Sequence, residues 1–508
     1  MPPIPHRRNR TTIVLLLIIV ALLLTLGIVC YRCHRCPSCP PVVTGPIDSS
    51  KLVHWAQWNV LFQPGTSGAT RAFVANKVDD SLRKLLVSYG IDTTNIHPIF
   101  THYFCPCDPS LLDVDLTLIN ESGNPVTPSS PTKNPPPGPI GGLGGSVVAN
   151  YFNTAMSIPE YANPLPLKEN PYGNYVAGGD TTFFSQNLAA HAVSDQVLAI
   201  LDTGLDSTEF HKTINGKTYD YTSEISNLVW KDPSGRTLYN TLINAEQDQL
   251  TDDETSFKHG SSVTYVALLA ASKNTLGNTL PRPLPHVMVL KVLDSLGRGS
   301  VFTISCAMSY AIQKKATVIN ASLGYSGPSD PILEYYFGQA NLHRIPVMVA
   351  AGNDSSAPHD PTSLCLSNLN TNDSIGGASP FYPACYSKTM PYITTVTGVS
   401  HARPCFYQKF SGTFVNVGVD IQVDNGNGAA SNVTCCAIYI PYLNKGVFVE
   451  GSSFSTPVVS GSYLYTYPPT GSTQLPLTPA QWLSHWPSTE PNLNKYIQGG
   501  KYLTWFFQ

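Results

Sequence analysis

Charged residues are scarce in this chain, and neither sign dominates. Lys and Arg number 30 and Asp and Glu number 33 among 508 residues, so charged residues make up 12% and the formal net charge is −3. Without a basic excess, nothing predicts a nucleic-acid partner, which usually requires a strongly basic face. Hydrophobic residues reach 42%, which is too many for a chain that is disordered as a whole. The length suggests about two to four domains.

Two processing signals are missing near the N-terminus. Three arginines among the first ten residues precede an uninterrupted apolar run from Ile13 to Cys30. No small-x-small cleavage site follows this run, and the residues before Cys30 are too bulky for a lipobox. About 18 to 20 apolar residues span a bilayer core. We therefore expect a transmembrane signal-anchor helix over 13–31, with a cleaved signal peptide and a buried core helix as the alternatives.

The charge bias around the apolar run predicts how the chain lies in the membrane. The arginines favour residues 1–12 in the cytoplasm and the rest of the chain outside. The protein is thus expected to be a single-pass membrane protein whose larger part is extracytoplasmic.

Twelve cysteines fit an oxidising compartment, where some of them would pair. Four follow the apolar run at regular spacing, namely Cys30, Cys33, Cys36 and Cys39. Thiolates at such spacing can bind zinc or an iron–sulfur cluster, but no second ligand cluster follows. We favour interchain or local disulfides or acylation, and we predict no metal site. The pairing of the other eight cysteines cannot be deduced from the sequence.

Residues 52–120 are typical of a small α+β domain. A helix is predicted from Val78 to Tyr89, because apolar residues recur on one face and Gly90 follows. Alternating apolar and polar residues from Leu112 to Ile119 predict a half-buried strand. The next segment, 121–146, is so rich in Pro and Gly that it cannot form a helix or a central strand. We interpret it as a linker between two folded units, with an ordinary long surface loop as the alternative.

Residues 180–466 have a different pattern, in which short buried apolar runs alternate with helical stretches. Such runs between helices predict an α/β domain whose mostly parallel central sheet has helices on both faces. In sheets of this kind, ligands bind at the carboxyl ends of the strands. The remaining residues, 467–508, form a C-terminal tail rich in Trp. We expect the tail to pack on the preceding domain, with a partner-binding patch as the alternative.

Four polar residues fall at the ends of predicted strands or at the starts of helices. Asp202 ends a buried strand and precedes Thr-Gly, His259 begins a helix, Asn353 follows Ala-Ala-Gly, and Ser453 lies in a Gly-Ser-Ser run before another helix. Each motif alone is weak: Asp-Thr-Gly also occurs in aspartic proteases and in loops, and a lone His is more often a core or capping residue. Together they supply a nucleophile, a base, a carboxylate and an oxyanion donor.

The order of these motifs resembles that of the subtilisin-like serine proteases (peptidase S8), which run Asp, His, Ser along the chain. The resemblance covers roughly residues 195 to 466. It implies a subtilisin-like fold and a serine endopeptidase with Asp202, His259 and Ser453 as the catalytic triad. Asn353 and the backbone N–H of Ser453 would then form the oxyanion hole.

The resemblance also implies a substrate cleft whose backbone pairs with an extended peptide. Its residues would be Ser322, Leu323, Gly324, Ala350, Ala351 and Gly352. The chain departs from the family pattern at several positions: Ser262 replaces the usual second His, Tyr325 replaces a Gly, and Phe454 stands where Met is common. These departures affect substrate preference and the packing around His259.

Residues 52–120 resemble, in size and position, the N-terminal propeptides of the same family. The implied partners are a peptide or protein substrate, the membrane, and the chain's own N-terminal region as an intramolecular inhibitor. Cutting within 121–146 would also release a soluble, secreted form. The resemblance implies no required cofactor. Calcium sites are common in the family and calcium stays an alternative, although no matching ligand motif is identified. A catalytically silent surface binding module of the same fold is the second hypothesis.

Overall fold

The described part of the chain covers two folded regions. The computed structural model describes residues 56–61, 71–88, 94–105, 107–124, 138–140, 145–149, 152–154, 193–206, 211–214, 217–220, 253, 258–272, 284–293, 297–326, 329–353, 367–368, 380–400, 403–405, 408–423, 438–440, 447–449, 451–468, 476–485 and 487–507. The predicted transmembrane helix and the run from Cys30 to Cys39 lie outside these residues. Within them, no helix combines the length and hydropathy that a membrane span requires.

The N-terminal unit is an antiparallel sheet with one helix. Its elements are β1 (Ala56–Leu61), α1 (Arg71–Ser88), β2 (Ile96–Phe104), β3 (Leu111–Asn120), β4 (Gly138–Ile140) and β5 (Gly145–Ala149). The strand order is β2-β3-β1-β5-β4. Val78, Leu82 and Leu86 of α1 are buried, which confirms that the helix presents one apolar face, although it begins at Arg71 rather than at Val78.

The Pro- and Gly-rich segment contributes a strand to this sheet. Strand β4 lies within 121–146 and, among the described strands, pairs with β5 alone, so it forms the edge of the sheet as described. Pro139 lacks a backbone N–H, and proline is tolerated in an edge strand because one side of that strand needs no partner. The segment is therefore partly structured, and the unit continues to Ala149.

All remaining strands and helices belong to the larger region except β6 (Phe152–Thr154), which follows the N-terminal unit and pairs with the larger region from outside it. The strands of the larger region are β7 (Val193–Asp202), β8 (His211–Ile214), β9 (Lys217–Asp220), β10 (Leu284–Lys291), β11 (Arg298–Ser300), β12 (Val318–Ala321), β13 (Tyr325–Ser326), β14 (Val347–Ala350), β15 (Ser367–Asn368), β16 (Phe381–Tyr382), β17 (Ile393–Ser400), β18 (Arg403–Pro404), β19 (Lys409–Phe410), β20 (Val417–Val423), β21 (Ile438–Ile440), β22 (Val447–Val449), β23 (Ser488–Thr489) and β24 (Lys501–Phe507). The helices are α2 (His259–Ser272), α3 (Val301–Gln313), α4 (Pro331–Leu342), α5 (Ser452–Tyr465) and α6 (Pro479–His485).

A central sheet organises this region. Its strand order is β10-β7-β12-β14-β17-β20-β24-β23, and β18 pairs with β17. All pairs from β10 to β24 are parallel, whereas β23 and β18 pair antiparallel. The chain leaves β7 for β10 on one side and returns to β12 on the other. The carboxyl ends of β7 and β12 therefore flank a switch point, where α/β sheets bind ligands.

Helices cover both faces of the central sheet, and the alternation within each strand explains why. In β7, Ala199 and Leu201 belong to the core cluster that includes α3 and α4. Leu198 and Ile200 belong to the cluster that includes α2 and α5. Because successive side chains of a strand point to opposite faces, a continuous apolar run serves both clusters. The predicted mostly parallel sheet with helices on both faces is confirmed.

The C-terminal residues complete the central sheet. Strand β24 pairs with β20, and Leu503 and Trp505 are buried in the same cluster as α2 and α5. Trp482 of helix α6 is 1% exposed in that cluster. The described residues of 467–508 are thus an integral part of the larger domain.

Candidate active site

Asp202 and His259 form a buried pair at the carboxyl edge of the sheet. Asp202 is the last residue of β7 and His259 is the first residue of α2. Their Oδ1 and Nδ1 atoms lie 2.6 Å apart, and the side chains are 1% and 5% exposed. The backbone N–H of Thr203 also donates to Oδ1 of Asp202, at 2.8 Å. A carboxylate held in this way orients the imidazole and fixes its tautomer.

The environment of His259 favours the protonated imidazole. Burial by itself lowers the pKa of His259, but the charge of Asp202, the hydrogen bond to Asp202 and the charge of Asp253 together raise it above its usual value. A base with a raised pKa accepts a proton more readily from a hydroxyl group. The same shift means that the base is lost to protonation at a higher pH than for a free histidine.

Asp253 is a second buried carboxylate behind this pair, and the sequence did not indicate it. Its Oδ1 accepts a hydrogen bond from Oγ1 of Thr203 at 2.9 Å. Its Oδ2 accepts from the backbone N–H and from Oγ of Ser261, at 2.9 and 2.8 Å. Oγ1 of Thr203 in turn accepts from the N–H of Gly260 at 2.9 Å. Asp253 thus joins the turn after β7 to the first turn of α2 and sets the position of His259 relative to Asp202.

Ser453 lies in the first turn of helix α5, and Ser322 contacts it twice. Oγ of Ser322 donates to the carbonyl oxygen of Ser453 at 2.8 Å. Oγ of Ser453 lies 3.4 Å from the carbonyl oxygen of Ser322. Pro457 explains the first contact: four residues after Ser453, it has no N–H to donate to that carbonyl. A buried carbonyl needs a partner, and Ser322 supplies it.

A polar chain holds Ser322 in place. Nδ2 of Asn320 donates to Oγ of Ser322 at 2.9 Å. Oγ of Ser460, in helix α5, donates to Oδ1 of Asn320 at 2.8 Å. The end of β12 is therefore hydrogen-bonded to α5 at both Ser453 and Ser460. This arrangement fixes the first turn of the helix against the carboxyl edge of the sheet.

The amide nitrogen of Asn353 has no acceptor among the residues that the structure describes. Its Oδ1 accepts from the N–H and from Oγ of Ser452, at 3.0 and 3.1 Å. Its Nδ2 is buried and has no hydrogen-bond partner among the described residues. Gly451 contributes to this arrangement, because its φ is 120° and a Cβ there would lie 2.9 Å from Nδ2 of Asn353. An orphaned buried donor beside a serine fits the geometry of an oxyanion donor.

Helices α2 and α5 approach closely enough to bring His259 and Ser453 to one end of the helix pair. A Cβ at Gly461 of α5 would collide with the carbonyl oxygen of Ala267 in α2. At the same end, the ring centroids of Phe454 and His259 lie 5.2 Å apart. Phe454 adjoins Ser453, so the aromatic ring that replaces the family's Met packs beside the imidazole.

The predicted substrate residues follow β12 and β14 at the same edge of the sheet. Ser322, Leu323, Gly324, Ala350, Ala351 and Gly352 are all buried. The side chains of Leu323, Ala350 and Ala351 belong to the core, so only backbone groups of these residues remain for a peptide. Gly324 is needed for close packing, because a Cβ there would collide with the ring of Phe381. Gly352 has a φ of 100°, which L side chains rarely adopt.

One strand beside the site is already paired with the chain itself. Strand β11 follows β10, whose end is bonded to β7: the N–H groups of Val292 and Leu293 donate to the carbonyl oxygen of Asp202, at 2.9 and 3.2 Å. Residues Phe152–Thr154 of β6 pair antiparallel with Arg298–Ser300 of β11. A segment upstream of the larger domain thus occupies a strand edge on the same side of the sheet as Asp202.

A group of sulfur ligands lies outside the active site. Cys105, Cys107 and Cys306 are close enough to one another to hold a metal ion, but Cys105 and Cys306 are joined in a disulfide. Structural zinc sites need several thiolates or imidazoles, and this group offers a single thiol. Around Asp202, His259 and Ser453, the described residues include no comparable group of ligands.

Acyl transfer to a serine requires a hydroxyl, a base oriented by a carboxylate, and a donor for the developing oxyanion. The fold gathers these groups at one edge of the sheet, and the class that they define is that of the serine hydrolases. A model of the subtilase family, peptidase S8, matches residues 194–481, more than half of the chain. The chain belongs to the subtilase family of serine peptidases.

Individual relatives are distant. The cell wall-associated protease of Bacillus subtilis (strain 168) is 30% identical over 179 residues, which are 35% of this chain and 17% of that protein. The intracellular serine protease of Paenibacillus polymyxa is 27% identical over 269 residues, 52% of this chain and 64% of that protein. The chain thus spans less than two thirds of the length of either relative. Among solved structures, the epidermin leader peptide processing serine protease of Staphylococcus aureus is similar at 13% identity, covering 88% of this chain and 96% of that chain with a TM-score of 0.46.

Proposed function

We propose that this subtilase is a serine endopeptidase that forms an acyl-enzyme on Ser453. The observation that carries the proposal is the buried pair of Asp202 and His259, whose Oδ1 and Nδ1 atoms lie 2.6 Å apart. An imidazole held by a buried carboxylate, with a raised pKa, is suited to take the proton of a serine hydroxyl. A domain that only binds a partner does not need an imidazole that is held by a buried carboxylate and has a raised pKa.

Each group has a defined role in the proposed reaction. Ser453 attacks the scissile carbonyl while His259 takes the hydroxyl proton and later returns it to the leaving amine. Asp202 orients the imidazole and stabilises its protonated form. Nδ2 of Asn353 and the backbone N–H of Ser453 donate to the oxyanion. Backbone groups of 322–324 and 350–352 pair with an extended peptide substrate, which fits the burial of their side chains.

The N-terminal region is proposed to act as an intramolecular inhibitor. Pairing of β6 with β11 supports this role, because a strand edge that is occupied by the chain itself is closed to a substrate. Cutting between the unit and the larger domain would be the first step in ending the inhibition.

Membrane tethering is proposed from the apolar run Ile13 to Cys30, with the larger domain outside the cytoplasm. The disulfide between Cys105 and Cys306 supports an oxidising compartment. The full chain should then sediment with membranes and resist alkaline extraction, whereas a chain that lacks residues 1–50 should not. Recovery of both chains in the soluble fraction would contradict tethering.

Labelling with a fluorophosphonate probe tests the enzymatic proposal. The matured wild type should take the label and Ser453→Ala should not. Ser462→Ala is the matched control, because Ser462 lies in the same helix and its Oγ has no hydrogen-bond partner among the described residues. That variant should label as the wild type does. A folded, matured wild type that takes no label would instead favour the second hypothesis, a catalytically silent binding module.

A further inference from the structure

The N-terminal unit is joined to the larger domain by a covalent bond. Cys105, just after strand β2, and Cys306, in helix α3, form a disulfide across 201 residues of sequence. The predicted linker, 121–146, and all of 155–192 lie between these two cysteines in the sequence. A cut anywhere in those segments therefore leaves the two parts connected through sulfur.

The surroundings of the disulfide show an interface that holds its two sides together. Leu111 of the N-terminal unit is fully buried in the core cluster of α3 and α4. Oη of Tyr336, in α4, donates to Oδ2 of Asp108 at 2.8 Å. Nε2 of Gln313, in α3, donates to the carbonyl oxygen of Cys107. The loop between β2 and β3 is thus bound to both helices around Cys306.

A third cysteine lies beside this bond. Cys107 is a free, half-buried thiol, and the sulfur atoms of Cys105, Cys107 and Cys306 all lie within 4.8 Å of one another. Thiol–disulfide exchange needs a thiolate in reach of a disulfide sulfur. The hydrogen bond from Gln313 to the carbonyl oxygen of Cys107 holds the backbone of Cys107, and with it the thiol, in that position.

We propose that these three cysteines form a thiol–disulfide exchange site that decides whether the N-terminal unit stays attached after the chain is cut. The thiolate of Cys107 attacks Sγ of Cys105, so that a bond between Cys105 and Cys107 forms and the bond to Cys306 breaks. The electron pair leaves on Sγ of Cys306, which takes up a proton. The number of disulfides is unchanged, so the step needs no oxidant or reductant.

Burial keeps this exchange slow while the unit is docked. It raises the pKa of the Cys107 thiol to about 11, an effect opposed by Lys314. The thiolate is the attacking species. As long as the pH is below the pKa, the thiolate fraction rises about tenfold for each unit by which the pH increases. Loosening of the interface, which exposes Cys107, has the same effect as a rise in pH. The inference bears on how the proposed inhibitor is released, but it concerns covalent structure and does not depend on catalysis.

Covalent retention is tested in the Ser453→Ala chain, which cannot cut itself. A recognition site for a viral protease is inserted after Lys168, between the N-terminal unit and the larger domain. After cutting and capping of free thiols, we expect one band in denaturing gels without reductant and two bands with reductant. The same chain with Cys306→Ser should give two bands in both gels. Two bands from the Cys306-containing chain without reductant would overturn the retention.

The exchange step is tested in the same cut chain, without reductant, between neutral pH and one unit below the pKa of Cys107. Release of the N-terminal unit should rise about tenfold per pH unit, and peptide mapping of the released unit should find Cys105 bonded to Cys107. Cys107→Ser keeps the disulfide and should abolish release. Equal release from Cys107→Ser, or no release from the parent chain, would overturn the exchange. Neither test uses fluorophosphonate labelling, so failure of the exchange proposal can be distinguished from failure of the proposed peptidase activity.

Discussion

Oγ1 of Thr203 donates a hydrogen bond to Oδ1 of Asp253 at 2.9 Å, which links the turn after strand β7 to a carboxylate that precedes His259 by six residues in the sequence. Asp253 is fully buried, and its charge contributes to the raised pKa of His259. A second buried acid, Asp253, therefore lies behind Asp202. Substitution of Asp253 alone separates its effect on His259 from that of Asp202.

Asp253→Asn should shift the pH dependence of catalysis. Loss of the charge lowers the pKa of His259, so the unprotonated base persists to lower pH. The acidic limb of kcat/KM should therefore move to lower pH, as measured by peptide hydrolysis across pH. Glu334→Gln, at an exposed acid in helix α4, is the control and should leave the limb in place. A loss of rate in Asp253→Asn with no movement of the limb would show a purely structural role.

Asn353→Ala should lower kcat with little change in KM. Its Nδ2 has no acceptor among the described residues, so the loss of Nδ2 is felt only when the oxyanion forms, whereas the loss of Oδ1 removes the hydrogen bonds from Ser452 in every state. Loss of one such donor lowers kcat by about 10² to 10³ fold, or about 3 kcal/mol. Ser452→Ala removes a hydrogen bond to Oδ1 of Asn353 but leaves Nδ2 present, and should lower kcat much less. Equal losses in both variants would contradict the oxyanion role.

Ser322 and Pro457 should be energetically coupled. Ser322→Ala leaves the buried carbonyl of Ser453 without its donor, which destabilises the fold by about 1–3 kcal/mol. Pro457→Ala provides a helical N–H for the same carbonyl, so the double variant should lose less stability than Ser322→Ala alone. Urea unfolding of the four chains in a Ser453→Ala background measures the coupling. Strict additivity would show that Pro457 is not the reason for the contact between Ser322 and Ser453.

Two helical glycines should respond in opposite ways to alanine. Gly461→Ala places a Cβ against the carbonyl oxygen of Ala267, which forces α2 and α5 apart and should lower both the unfolding midpoint and kcat. Gly338→Ala, in helix α4, meets nothing closer than Cε of Met390 at 4.0 Å. Because alanine favours a helix by about 0.5–1 kcal/mol over glycine, Gly338→Ala should be neutral or stabilising. Similar effects in both variants would contradict the close approach of α2 and α5.

The parts of the site that the sequence predicts are those that depend on local pattern. Asp202 ends an apolar run, and His259 and Ser453 begin helices, so the alternation of strands and helices already places them at one edge of a parallel sheet. The order of the motifs then indicates the family, which the family match confirms. The individual roles of the triad and of Asn353 stay predictions, to be tested by the variants above.

Asp253 could not be found in this way, because its partner Thr203 is 50 residues away in sequence. It lies in the acidic run Asp252-Asp253-Glu254, which is typical of a solvated loop. Only the folded chain brings Thr203 and Ser261 to its two oxygens. The one available signal was the position of an acid shortly before His259, and that signal is weak by itself.

The pairing of the cysteines and the extent of the sheets could not be predicted from the sequence either. Eight cysteines outside the N-terminal run allow many pairings, and spacing does not select Cys105 with Cys306. Strand β24 lies in the predicted tail, yet the alternation of Leu503 and Trp505 buries one face against helices that come from much earlier in the chain. Long-range packing of this kind decides membership of a sheet, and local propensity does not.

Phe152–Thr154 already pairs with Arg298–Ser300 of strand β11, so a peptide would have to compete with this segment for the same strand edge. The occupant of strand β11 belongs to the same molecule, and a tethered occupant has an effective concentration on the order of millimolar. A peptide of equal intrinsic affinity at micromolar concentration would then occupy the edge in about one molecule in a thousand. Dilution of the enzyme leaves that ratio unchanged, so the inhibition proposed for the uncut chain should be as strong at high dilution as at high concentration.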